Sequence, residues 1–217
     1  MIKQERIPNI LLLTIGRQIG ILLSMNSKRQ ATPSARTRIL ATAADLFYHQ
    51  GIRAVGVDAI IARSGVAKMT FYHHFKSKDA LVAAYLQRTD ERWLRWLRVA
   101  VARYAGPPRE RPLALFDGLE AFVSRDDFRG CTFINAIAEI AQPAHPAYAV
   151  AVAGKQHIQA LVTELLLAAD FTDSEVLTRQ FMVLIDGAIV TALRERRAEA
   201  VRIARDIAAL LLHRAIA

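Results

Sequence analysis

VDAIIARSGVAKMTFYHHF, Val57 to Phe75, decides how this chain is read. It predicts two short helices joined by a tight turn. Asp58 to Ser64 has helical content with Ile60 and Ile61 as apolar anchors. Ser64-Gly65-Val66 then supplies a turn at which glycine accepts a backbone angle that other residues resist. The second helix is expected from about Lys68 to Phe75. Phe71 and Phe75 are one helical turn apart, so they share a face and anchor it to a core. Counting about 100° per residue from that face, Met69, Thr70, Tyr72 and His73 point outward or sideways, and Lys68 stands at the exposed N-terminal end. Such a set suits a DNA groove, where phosphates need donors and base edges need mixed polar and apolar contacts. For Tyr72 the alternative is a rim residue that covers Phe71.

Upstream of this segment, Thr32-Pro33 reads as an N-cap followed by proline at the first helical position. The helix it opens carries the stripe Ile39, Ala43, Leu46 and Phe47, continues to Gln50 and stops at Gly51. Downstream, Ser77 caps a long helix from Lys78 to about Tyr104, which Gly106-Pro107-Pro108 closes. Further helices are expected over Leu113 to Val123, Phe133 to Ala141 and Pro146 to Leu167. Thr172-Asp173-Ser174-Glu175 reads as a capping box that starts a helix running to about Glu195. Between Phe181 and Val190 that helix is apolar almost all round, apart from Asp186. One stripe faces its own core, so a second apolar face needs a partner. A last helix from Ala198 to about Ala215 carries Val201, Ala204, Ala208, Leu211 and Leu212 on one side. Two such helices per subunit make a four-helix homodimer interface, with Ile185 and Ile189 as candidate contacts. The expected fold is all-α: an N-terminal three-helix helix-turn-helix DNA-binding domain over residues 28–80, then a larger helical dimerisation domain over 81–217.

The formal charge of +9 is unevenly distributed. Residues 28–80 hold nine Lys/Arg against three Asp, a net of +6, whereas 81–217 hold seventeen cations against sixteen acids. The excess sits on the helix-turn-helix segment, as a phosphate-facing surface requires. One cysteine excludes an intrachain disulfide framework and fits a reducing cytoplasm; beside Phe133 and Ile134, Cys131 reads as a packing residue. Residues 1–27 include IPNILLLTIGRQIGILLSM, whose apolar runs are interrupted by Arg17 and Gln18 and fall short of the ~20 residues needed to span a bilayer. Leu23-Ser24-Met25-Asn26 is a poor cleavage site. The segment reads as an N-terminal extension of uncertain order, with Met25 as a candidate true initiator.

GVAKMTFYHHFKSKDAL resembles the DNA-binding segment of TetR-type bacterial transcriptional regulators, and the match extends back through Ile39-Leu40-Ala43-Ala44-Leu46-Phe47, Gly51 and Val57-Asp58. It covers roughly Thr32 to Leu86. Arg129 to Asn135, followed by Glu139 and His145-Pro146, is similar to the effector-domain opening of one branch of that family. The resemblance implies that Lys68, Met69, Tyr72 and His73 face the groove, while Thr70, His74 and Lys78 hold phosphate or position the motif. Val55 and Ala67 depart from the pattern, each lacking a hydroxyl that many relatives carry there. The resemblance also implies a homodimer on palindromic double-stranded operator DNA, most often a repressor, and an effector pocket in the body, which adds ligand binding to the helical domain over 81–217. Candidates to line it are Trp93, Trp96, Phe116, Phe122, Phe133, Asn135, Glu139, Tyr148 and Met182. Glu139 and Asp186 are acids inside apolar helices; each either meets a ligand or is neutralised by a nearby Arg.

No catalytic group, metal site or cofactor is expected. A metal-dependent hydrolase needs clustered ligands, and His49, His73, His74, His145, His157 and His213 are scattered. A nucleotide enzyme needs a glycine-rich phosphate loop, which the sequence lacks. The competing reading is a helical small-molecule-binding or membrane-surface protein without operator specificity, suggested by the N-terminal segment and the basic charge.

Overall fold

The computed structural model describes residues 33–104 and 106–215, and the readings of residues 1–27 and of Thr32 lie outside them. Three helices form the N-terminal head: α1 Ala35–Gln50, α2 Val57–Ser64 and α3 Lys68–His74. Helix α1 starts after Ser34, two residues beyond the expected Pro33 start, and serine is itself a favoured residue at that cap position. It buries Ile39, Leu40, Ala43, Leu46 and Phe47, the expected stripe with one addition. The chain turns at Gly51 (φ +91°) and again at Gly65 (φ +65°), a left-handed angle that would strain any residue with a Cβ. Phe71 (0% exposed) and Phe75 (3%) close the head core, as their spacing predicted.

The Ser77 hydroxyl accepts the Ala80 N–H at 3.1 Å and starts α4, Lys78–Ala102. The first turns of α4 bury Leu81, Val82, Tyr85 and Leu86 near the head, and its distal half buries Leu97 and Val101 in the body. A 3-10 turn over Pro108–Leu113 precedes α5, Ala114–Val123. Helices α6 (Thr132–Ile140) and α7 (Pro146–Leu167) follow, and α7 packs on both α4 and α6. Gly154 allows the α6–α7 approach, since a Cβ there would come within 2.5 Å of the Phe133 ring. Among the described residues there are nine α-helices and no strand.

Helix α8 spans Ser174–Glu195, and the expected capping box does not form: Asp173 precedes the first turn and makes no side-chain cap bond. The reason is tertiary. Asp170 adopts φ +62°, the Phe171 N–H returns to the Leu166 carbonyl at 3.1 Å, and Phe171 is buried, which fixes where the chain re-enters. Glu175 then falls at the second helical position, one short of the capping-box site.

Among the described residues, α8 is the one helix long and apolar enough to cross a bilayer by length and composition. Its apolarity has two destinations. Leu177, Phe181, Ile185, Ala188, Ile189 and Ala192 are buried in the subunit's own core. Ile185 and Ile189 therefore face inward, contrary to the expectation that they lie at a contact between subunits. The outer face is Val176, Val183 and Val190, spaced by seven residues and each more than half exposed. Helix α9, Glu199–Arg214, buries Val201, Ala204, Ala208 and Leu212 and leaves Ile203, Ile207 and Leu210 exposed beside that face.

Cys131 is buried at the head of α6, and burial raises its thiol above the usual range. Iodoacetamide at pH 8 is therefore expected to modify the folded protein at least ~10-fold more slowly than the unfolded chain, read by intact mass spectrometry.

Candidate nucleic-acid interface

Helix α3 is held from beneath and left open above. Phe71 inserts into the head, while Lys68, Met69, Tyr72 and His73 are exposed and Thr70 and His74 are half-buried at the edges. Met69 is 86% exposed, an apolar tip with no protein partner and the right chemistry for a thymine methyl. The Tyr72 ring covers Phe71, meeting it edge-on at 5.2 Å, and 40% of the residue stays exposed. The His73 and His74 rings lie 5.1 Å apart, and no group of three His, Cys, Asp or Glu among the described residues has metal-holding geometry.

The other head cations divide by what already engages them. Arg63 pairs with Asp45 at 2.6 Å, the Arg38 Nε donates to the Ser64 carbonyl, and Arg36 lies over the Phe75 ring. Lys78 Nζ donates to the Arg53 carbonyl at 3.5 Å, which holds it beside the loop between α1 and α2. Lys68 and Lys76 make no ion pair among the described residues. Neither α2 nor α3 has a side-chain cap, as Gly56 and Ala67 dictate. Val55 is 2% exposed, so the hydroxyl missing from that position is replaced by core burial.

Beneath the head lies a junction that the sequence did not announce. The Tyr48 hydroxyl accepts the Arg129 N–H at 2.9 Å and donates to the Gly130 carbonyl at 3.3 Å. Glu139 Oε2 accepts the Arg53 backbone N–H at 2.9 Å, and His145 Nε2 lies 3.4 Å from Asp79 Oδ2. Beside the Tyr48 and Glu139 links lies a half-open cavity of about 270 Å³, lined by Phe47, Tyr48 and Tyr85 together with Thr132, Asn135 and Glu139. Burial pushes the Tyr85 phenol up to about 12 and raises that of Tyr48, so both remain neutral at physiological pH. A tyrosine off the apolar stripe of α1 was the only signal for Tyr48.

The effector candidates do not gather round one cavity. Asn135 and Glu139 line the junction cavity. Trp93 and Trp96 stack at 4.8 Å and join Phe122 and Phe128 in an aromatic cluster elsewhere in the body. Phe116 packs on Phe181 and Phe133 against Gly154, both in the core, while Tyr148 and Met182 are half-buried. The two intrahelical acids resolve differently. Asp186 pairs with Lys155, whereas Glu139 meets a backbone N–H and makes no ion pair among the described residues.

Comparison with known proteins bears on this geometry. The model of the bacterial regulatory proteins of the tetR family matches residues 39–85. The chain is 35% identical over 82 residues to the helix-turn-helix transcriptional regulator UidR of Escherichia coli, covering 38% of each chain, so it spans well under half of the first curated relatives' length. It is 26% identical over 132 residues to the transcriptional repressor NemR of Escherichia coli, covering 60% of this chain and 66% of that one. The crystal structure of a TetR-family transcriptional regulator from Streptomyces coelicolor superposes with a TM-score of 0.77 at 31% identity, over 83% of this chain and 95% of that one.

Tyr48→Phe removes both of its links to the start of α6 while keeping the ring. It is expected to lower stability by about 1–3 kcal/mol, measured by urea unfolding: water can reach the freed N–H of exposed Arg129, but the carbonyl of buried Gly130 also loses its donor.

Proposed function

The chain belongs to the TetR family of bacterial transcriptional regulators, and from that membership we propose that it is a cytoplasmic, dimeric, ligand-responsive repressor. Regulators of this family are DNA-binding proteins, not enzymes. The observation that carries the reading is helix α3, anchored by Phe71 yet presenting Lys68, Met69, Tyr72 and His73 to solvent. In this proposal the head, residues 28–80, inserts α3 into the major groove of palindromic operator DNA. Thr70, His74 and Lys78 hold phosphate beside it. The body, residues 81–217, takes up a small-molecule effector and forms the homodimer.

The dimer is inferred from the exposed stripes of α8 and α9. Val183 shares a shallow apolar groove with Ile203 and Ile207, and Val176, Val190 and Leu210 are further exposed apolar residues on the same two packed helices. The same division of α8 between core and outer face argues against a membrane-surface protein. Trp93, Trp96, Phe116, Phe133, Asn135, Glu139, Tyr148 and Met182 remain the effector candidates in the body. An effector releases DNA only if it favours an arrangement in which the two heads no longer match consecutive major grooves.

Selection of bound duplexes from a random pool tests the reading directly: an enriched palindrome is expected, and enrichment of no sequence would overturn it. On that operator, Lys78→Ala is expected to weaken all duplexes about equally and flatten the salt slope by ~1. Lys68→Ala and Tyr72→Ala should also erode discrimination against random DNA, by ~1–3 kcal/mol where a base contact is lost. Competition titrations at matched salt separate the two behaviours.

Val183→Asp and Ile185→Asp should differ in kind. The first is expected to give a folded monomer by light scattering with an unchanged helical spectrum. The second buries a charge in the subunit core and should lower its melting temperature sharply.

A further inference from the structure

The junction cavity holds an unusual combination. Glu139 is a half-buried carboxylate; among the described residues it has no ion pair, one oxygen takes the Arg53 N–H, and the other accepts no hydrogen bond. Asn135 donates its amide to the Arg129 carbonyl at 2.8 Å, which turns its own carbonyl oxygen free as a second acceptor. Lining the cavity with these acceptors are the rings of Phe47, Tyr48 and Tyr85. Acceptors with a negative charge together with aromatic rings form the recognition pattern of an organic ammonium group. The exposed Arg129 and His49 also border the cavity, but water screens their charge more than it screens Glu139.

We propose that the cavity between α1 and α6 is a binding site for a small organic cation, a primary amine on an aromatic or short alkyl body, with Glu139 as its counter-ion. A volume of about 270 Å³ lies just below the usual range for drug-sized ligands and limits the guest to a single ring or short chain. The site gives the ligand-responsive reading above its chemistry, and rests on that reading only for its consequence: an ammonium group competing for Glu139 loosens the Arg53 link between head and body.

Binding is tested on the full chain without DNA, in an amine-free phosphate buffer, using benzylamine as the probe and benzyl alcohol as its neutral match. Calorimetry is expected to give benzylamine a Kd of roughly 1 mM or tighter, within what so small a ligand can reach. Benzyl alcohol should bind at least ~10-fold more weakly, as loss of a charge-assisted bond predicts. Glu139→Gln keeps an acceptor for the Arg53 N–H and removes the charge, so its benzylamine affinity should fall by a similar factor. Equal affinities for amine and alcohol, or full amine affinity in the folded variant, would overturn the site. If Glu139→Gln does not fold, the amine-to-alcohol ratio on the wild type decides alone. Operator titration with saturating benzylamine is a separate readout. Unchanged DNA affinity there would overturn the proposed consequence for the Arg53 link and leave the site standing, whereas absent amine binding sinks the site and leaves the regulator.

Discussion

A helix of seven residues does not persist in water on its own, because nucleation costs more than so few hydrogen bonds return. Helix α3 therefore exists through the burial of Phe71, with Phe75 closing the turn behind it. Its lack of a side-chain cap sharpens that dependence, since Ala67 offers no acceptor to the first N–H groups. The exposed residues of α3 are aimed only as well as Phe71 is seated. Phe71 packs in the core that Ile39, Leu46, Phe47, Ile60 and Leu81 complete, so α1, α2 and the start of α4 all help to set the reader's direction.

The same economy governs how the head meets the body. Helix α4 joins them covalently, and its continuous hydrogen-bond ladder resists bending over its 25 residues. Among the described residues, the polar ties across the junction are Tyr48 to the start of α6, Glu139 to Arg53, and Asp79 beside His145, and they flank one apolar core that runs through both parts. Exposed or partly exposed bonds of this kind contribute about 1 kcal/mol or less each. The shared apolar core carries most of the join, and the polar ties set the register in which α1 and α6 meet around the half-open cavity.

What could be read from the sequence divides by the range of the forces involved. The turns at Gly51 and Gly65, the Ser77 cap, and the Pro146 start of α7 were legible because each is decided by a residue and its near neighbours. The capping box at Thr172 failed because burial of Phe171, a tertiary event, set the start of α8. Ile185 and Ile189 were assigned to the wrong face because a helix apolar all round carries no phase; only the packing of α7 and α9 against it reveals which stripe is inside. The effector candidates scattered for a related reason. Aromatic spacing along a helix does not say which of its neighbours will close over it, and Glu139 found a backbone N–H from a loop 86 residues away.

The outward stripe of α8 also bears on how so small a reader can be selective. In the proposed reading one α3 offers only a few side chains to the base edges, the exposed Lys68, Met69, Tyr72 and His73, and each good contact discriminates by about 1–3 kcal/mol. Unless all four contacts are made well, a single head reaches only the low end of the ~4–10 kcal/mol that separates specific from non-specific binding. In the proposed dimer the contacts double and add, because half-sites one helical turn apart are independent at that distance. Val176, Val183 and Val190 lie in the body and the proposed base-reading residues on α3, so in that dimer the subunit contact would set the spacing of two heads it does not touch. Any ligand that shifts the body relative to α1 then alters that spacing without contacting DNA.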